Sequence, residues 1–132
     1  MVKLAEISKR EGMTNFIVPI DFSVDPLKGI EWALLFSQKK KINIQMVYVL
    51  TNSSNFQSSV VELEHKYAEA HFKKLVKKFS PSLGNQSKLG FVIKKGKVYR
   101  ELVNQVNSFE NAVISASTHG ASGFEELFIG SN

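Results

Sequence analysis

Short apolar runs alternate with amphipathic segments along this chain of 132 residues, and this alternation strongly limits the folds open to it. The apolar runs have the length and the β-branched or aromatic character of buried strands, at residues 15–22, 42–50, 89–93 and 112–116. Between them lie segments with helical periodicity, at about 26–39, 60–79 and 98–106. Strands separated by helices pair in parallel through right-handed crossovers. The order therefore predicts an α/β fold with a doubly wound parallel sheet.

Local signals set the limits of the first strand and the first helix. Pro19 has no N–H to donate to a sheet ladder, so we place it near the carboxyl end of the strand, where pairing stops. Ser23 or Asp25 can cap the following helix, with Pro26 as its first residue. In the second helix an apolar stripe predicts the buried face: Val61, Ala68, Phe72, Leu75, Val76 and Phe79.

Composition excludes several classes of protein. Hydrophobic residues make up 43% and charged residues 22%, as in globular proteins. The absence of cysteine excludes disulfide frameworks, cysteine-ligated zinc, iron–sulfur clusters and thiol catalysis. The apolar runs are too short for a membrane helix, and residues 1–12 lack the apolar centre of a secretory signal, so we expect a cytoplasmic protein. The net charge of +5 suits nucleic acid, acidic lipid or a phosphorylated small molecule and does not choose among them.

Ligands of doubly wound sheets bind beyond the carboxyl ends of the strands, where the strand order reverses. This rule directs attention to residues 21–23, 49–51 and 117–123. Asp21 directly follows an apolar strand, and its carboxylate can accept hydrogen bonds from a ribose, an adenine amino group or a metal-bound water. Capping of the next turn explains the same residue equally well. Both interpretations remain open from position alone.

Glycines and small polar residues follow the fourth strand. Ser117, His119 and Gly120 belong to a loop whose backbone N–H groups can converge on an anion. Nine residues separate Gly120 from Gly130 and Ser131, and a small-residue turn there, ahead of a helix, would aim more amides and a hydroxyl at a phosphate. Taken together, the two small-residue segments predict a phosphate-binding site.

Five segments of the chain resemble the universal stress protein family. They are NFIVPIDFS at 15–23, IEWAL at 30–34, QMVYVL at 45–50, KKGKVYREL at 94–102 and STHGASGFEELFIGSN at 117–132. In nucleotide-binding members the closing segment reads Gly, two residues, Gly, nine residues, Gly, then Ser or Thr. Here Gly120, Gly130 and Ser131 keep the second half of that motif, while Ser117 stands in place of its first glycine.

The resemblance implies a flavodoxin-like domain that binds an adenine nucleotide (ATP, or else AMP or ADP) in a stress response and is not an enzyme. By position, Asp21 and Val49 would contact the adenosine end, and Gly120, Gly130 and Ser131 would hold the phosphates, with His119 nearby. The hydroxyl of Ser117 can also donate to a phosphate. Because some relatives bind no nucleotide, a protein-interaction or dimerisation domain of the same fold is the alternative function.

Family members continue beyond the Gly-Ser pair with a further helix and strand. We therefore expect residues 1–12 to be an extension and residues 13–132 to be a domain without that last helix and strand. The edge beside the fourth strand would then be exposed, which predicts a homo-oligomer or pairing with a second universal stress domain. The lysine runs, Lys39–Lys41 and the group Lys73, Lys74, Lys77 and Lys78, accompany no nucleic-acid-reading motif. We expect solvated helix faces, no specific nucleic acid, no membrane, no bound metal and no catalytic residues.

Overall fold

The computed structural model describes residues 13–21, 27–50, 58–117 and 126–131. The elements in these ranges, in chain order, are β1 (Thr14–Pro19), α1 (Leu27–Ser37), β2 (Ile42–Leu50), α2 (Ser58–Phe79), β3 (Lys88–Lys95), α3 (Val98–Asn107), β4 (Ala112–Ser117) and β5 (Glu126–Ser131). A single 3-10 turn, Ser80–Ser82, follows α2. The strands form one sheet in the order β3-β2-β1-β4-β5, and β1 to β4 are parallel. The predicted α/β fold with a doubly wound parallel sheet is confirmed.

Strand β1 ends at Pro19, where the missing N–H was expected to stop the pairing, although the predicted run extended to residue 22; Ile20 and Asp21 lie outside the strand. Its pairing with β2 reaches Pro19 opposite Val47, and the N–H of Ile20 donates one more bond, of 2.8 Å, to the Val47 carbonyl. The residues proposed to cap the next helix, Ser23, Asp25 and Pro26, lie outside the described residues. Strand β3 extends beyond the predicted 89–93 at both ends because its pairing with β2 runs from Lys88 to Lys95.

The helices divide between the two faces of the sheet, as crossovers of one hand require. Helices α1 and α2 cover one face, where the apolar stripe of α2 packs against the strands as predicted: Val61, Ala68, Phe72 and Phe79 are buried, and Leu75 and Val76 are partly buried. Helix α3 covers the other face through Leu102 and Val106. None of the helices within the described ranges is long and apolar enough to cross a bilayer.

Strand β5 departs from the sequence-based expectation. Gly130 and Ser131 were expected in a turn ahead of a helix, but they lie in a strand that pairs antiparallel with β4. The three residues before Gly130 are Leu127, Phe128 and Ile129, an apolar run that suits a strand at an open sheet edge. The expected exposed edge beside β4 is therefore wrong for this structure, because β5 occupies it.

Candidate functional site

The strand order reverses between β1 and β4, and both strands end at the same edge of the sheet. Their register pairs Ile17 with Ile114, and continuing it by three residues brings Ile20 beside Ser117, the last residue of β4. Asp21 follows Ile20 directly and is exposed. Asp21, just after β1, and Ser117, at the end of β4, thus lie at the carboxyl edge beside the switch point, where the position rule for ligands in such sheets places a site.

Val49 reaches this edge through its backbone. Its side chain is buried on the α3 face beside Ile17 and Val47, so it is directed into the core. The carbonyl of Val47 accepts from the N–H of Ile20, just after β1, and strand alternation turns the carbonyl of Val49 to the same side. Extending the β1–β2 register by two residues sets Asp21 beside Val49. A ligand bound at Asp21 would therefore meet main-chain groups of Val49.

The first turn of α1 lies close against β1 and β4 because residue 29 is glycine. A Cβ at Gly29 would stand 3.0 Å from the backbone oxygen of Ser115 and 3.2 Å from the Val18 side chain. A hydrogen bond also joins these elements: the buried Ser115 hydroxyl donates to the Gly29 carbonyl at 3.1 Å. This contact fixes the amino-terminal turn of α1 beside the switch point. Backbone N–H groups at a helix amino terminus attract anions, so this side of the edge suits a phosphate.

A phenol and two carboxylates define the other side of the site, toward β2 and α2. The half-buried Tyr48 hydroxyl donates to Glu64 Oε2 at 2.7 Å and so links β2 to α2. Burial, that hydrogen bond, the charge of Glu64 and the charge of Asp21, in this order, raise the pKa of Tyr48 to about 12. Tyr48 is therefore neutral at physiological pH. Asp21 and Glu64 make this part of the site acidic.

The site therefore has two chemically different sides. Near Tyr48, Asp21 and Glu64, the negative charge favours ligand groups that donate hydrogen bonds, such as ribose hydroxyls or an amino group. Near β4 and the first turn of α1, backbone dipoles favour an anion. An arrangement of this kind suits a phosphorylated nucleoside lying along the edge, with its nucleoside part at Asp21 and its phosphates toward β4.

The structure brings together only some of the residues predicted for the site. Asp21, Val49 and Ser117 share the carboxyl edge, whereas His119 and Gly120 lie outside the described residues. Gly130 and Ser131 pair with Val113 and Ala112 at the amino end of β4. They are four to five residues, roughly 13 to 17 Å, along the strand from Ser117. In residues 13–21, 27–50, 58–117 and 126–131, no group of three or more His, Asp or Glu could hold a metal ion.

Sequence reasoning missed three residues of this edge: Gly29, Tyr48 and Glu64. Gly29 could have been found, because a glycine inside the helical pattern of residues 26–39 is a signal of close packing. Tyr48 and Glu64 had none, because a polar residue in an apolar run and an acid in an amphipathic helix are each ordinary. Only the packing of α2 against β2 brings these two side chains into hydrogen-bonding contact.

Comparisons with known proteins agree with this architecture. A family model described as "Universal stress protein family" matches residues 13–132. The solved structure of universal stress protein UspA from Lactobacillus plantarum is similar, with a TM-score of 0.60 and 18% sequence identity, over 83% of this chain and 81% of that chain. At that identity the likeness shows a shared fold. A search of the curated proteins gave no significant match.

Proposed function

This chain belongs to the universal stress protein family, and on that premise we propose that it binds an adenine nucleotide, ATP or else AMP or ADP, at the carboxyl edge of the sheet. Membership of the family associates the chain with the stress response. The nucleotide is our proposal, and one observation carries it: Asp21 after β1, Val49 near the end of β2 and Ser117 at the end of β4 share the carboxyl edge of the sheet at the point where the strand order reverses. The site is proposed for binding, with no residue assigned to catalysis.

The two sides of the site give the nucleotide an orientation. The ribose or the adenine amino group would donate to Asp21, beside Tyr48 and Glu64. The phosphates would lie toward Ser117 and the first turn of α1, which the Ser115–Gly29 hydrogen bond holds in place. Gly130 and Ser131 lie at the opposite edge in this arrangement, so we leave them out of the proposed phosphate contacts.

Isothermal titration calorimetry with magnesium ATP tests the proposal on three proteins: the native sequence, Asp21→Asn and Glu110→Gln. The control residue Glu110 is exposed and lies between α3 and β4, at the amino edge. Loss of hydrogen bonds to a charged group costs about 1.5–3 kcal/mol, so we expect Asp21→Asn to bind roughly 10- to 100-fold more weakly. Glu110→Gln should bind like the native protein.

Two results would contradict the proposal. One is the absence of heat when ATP, ADP and AMP are each titrated into the native protein. The other is an equal loss of affinity in both variants, which would place the ligand away from Asp21. Assay of phosphate release in the same samples checks the expectation that the chain is not an enzyme. Nucleotide released by denaturing freshly purified protein shows which adenine nucleotide it carries.

A further inference from the structure

Six lysines gather at the amino edge of the sheet, opposite the proposed nucleotide site. Two segments, 37–42 and 77–88, run side by side there. The Gln38 side chain donates to the Ser82 carbonyl at 2.6 Å, and the Ile42 N–H donates to the Ser87 hydroxyl at 3.0 Å. These bonds join the chain from the end of α1 to the start of β2 with the chain between α2 and β3. We call the lysines of the two segments the lysine pole: Lys39, Lys40, Lys41, Lys77, Lys78 and Lys88.

The lysine pole carries a strong positive charge for its size. Neither segment contains an aspartate or a glutamate, so the two segments together carry six positive side chains and no negative one. Along the sequence the lysines form separate runs, each of which resembles a solvated helix end. Folding brings the runs together, and a concentrated patch of one sign attracts a partner of the opposite sign.

An apolar groove lies directly beside the lysine pole. Its volume is about 460 Å³, and it is lined by Glu31, Leu34, Leu35, Gln38, Phe79 and Ser82. Leu34 and Phe79 are largely buried, whereas the Leu35 side chain is 62% exposed. Lysines flank the groove: Lys39 lies four residues after Leu35, in the turn that follows α1, and Lys78 Nζ lies 5.3 Å from the centre of the Phe79 ring.

We propose that this groove and the lysine pole together bind an acidic amphipathic helix of a partner protein. Apolar side chains spaced by three or four residues along such a helix would enter the groove between Leu35 and Phe79. Its carboxylates would lie against Lys39, Lys40 and Lys78 at the rim. Helices commonly bind apolar grooves through anchors at this spacing. Opposite charges at a rim raise the association rate and exclude partners of the wrong sign.

The combination of groove and charge selects this class of partner over other anions. Nucleic acid would neutralise the lysines through its phosphates but would leave the groove without an apolar occupant. An anionic lipid surface would also neutralise them, and its flat headgroup layer has no projecting side chain to fill a concavity. An acidic amphipathic helix satisfies both features.

Fluorescence anisotropy with a synthetic labelled peptide tests the proposal. The peptide is an 18-residue helix with leucines at every third or fourth position and glutamates on its other face. We expect the triple variant Lys39→Glu, Lys40→Glu, Lys78→Glu to bind it at least tenfold more weakly than the native protein does. The matched control is Lys94→Glu, Lys95→Glu, Lys97→Glu at the other end of β3. Either triple variant changes the formal net charge from +5 to −1.

A second pair of variants tests the groove itself. Leu35→Ser should weaken binding about tenfold, whereas Leu63→Ser should leave it within twofold. Leu63 is the matched control because it is a similarly exposed leucine, at 69%, on α2 and outside the groove. Thermal unfolding followed by circular dichroism checks that each variant is folded. If the charge-reversed triple variant unfolds, replacement of the same lysines by glutamine repeats the test.

Three outcomes would overturn the proposal. The first is no binding of the peptide by the native protein at millimolar concentration. The second is an equal loss in both triple variants, which would mean attraction by net charge alone. The third is tighter binding of a 20-nucleotide RNA, or of vesicles with 30% phosphatidylserine, that depends on the lysine pole but not on Leu35. All three are independent of ATP binding, which Asp21→Asn reports at the opposite edge.

Discussion

Replacing Tyr48 by phenylalanine removes a single oxygen atom from the candidate site and keeps the aromatic ring. The lost group is the hydroxyl that donates to Glu64 Oε2 at 2.7 Å and joins β2 to α2. Hydrogen bonds to charged partners contribute about 1.5–3 kcal/mol when buried. Because Tyr48 is only half-buried, we expect Tyr48→Phe to lower the free energy of unfolding at pH 7 by about 1 kcal/mol.

The same hydroxyl predicts how stability changes in alkali. Folding raises the pKa of Tyr48 from 10.0 to about 12, so the folded state holds its proton more tightly than the unfolded state does. The resulting stabilisation is fully present below pH 10 and is lost as the pH rises through 12. Two pKa units correspond to about 2.7 kcal/mol. Solvent screening at this half-buried position reduces the expected loss to about 1 kcal/mol.

Urea unfolding followed by the fluorescence of Trp32 measures both effects, with Tyr99→Phe as the control. Tyr99 is a tyrosine of α3 whose side chain is 80% exposed. We expect the control to stay within about 0.5 kcal/mol of the native protein. Tyrosinate absorbance of the native protein minus that of Tyr48→Phe gives the titration of Tyr48 alone. The reasoning would be refuted by a titration midpoint of Tyr48 near pH 10, or by a Tyr48→Phe variant as stable as the control variant.

Three further substitutions test the packing of the fold by chemical denaturation. Gly84→Ala should lower the free energy of unfolding by about 3 kcal/mol, because its Cβ would overlap the Ser37 carbonyl. The control Gly90→Ala should be neutral or stabilising by about 0.5 kcal/mol, because its Cβ would meet only a side-chain oxygen at 3.7 Å. Similar midpoints for these two glycine variants would contradict the backbone contact. Phe72→Ala should lower the free energy of unfolding by about 3–5 kcal/mol, because Phe72 is fully buried and its ring stacks on Phe91 with 4.7 Å between the ring centres. A loss below about 1 kcal/mol would show that neighbouring side chains fill the cavity. Gly29→Ala should lower the free energy of unfolding by about 1 kcal/mol, because a Cβ would push α1 away from Ser115. If the proposed function is right, the same variant should also bind ATP more weakly in calorimetry. Unchanged affinity would mean that the first turn of α1 does not contact the phosphates.

Much of the fold could be read from local patterns. Strand β2 has the predicted limits, and the buried stripe of α2 contains the residues that its periodicity indicated. Pro19 is the last residue of β1, in line with its missing N–H, which is a property of the residue itself and can be seen in the sequence. For the candidate site, the position rule for parallel sheets placed Asp21 and Ser117 at one edge, since that rule needs only the order of the elements.

The remaining features depend on which distant residues meet, and local patterns carry no information about that. The small-residue spacing of Gly130 and Ser131 suggested a turn, yet the residues before them pair with β4 as a strand. The partnership of Tyr48 with Glu64 and the close contact at Gly29 follow from the register of β2 and the seating of the helices.

What the sequence determined by itself is the order and type of the first seven elements, because apolar periodicity and backbone chemistry act within a few residues. Tertiary structure alone decided that β5 covers the edge of β4 and that the lysine pole gathers beside an apolar groove. Each of these depends on the relative positions of segments that lie far apart along the chain. Such positions are set by how side chains pack between elements, which no single segment specifies.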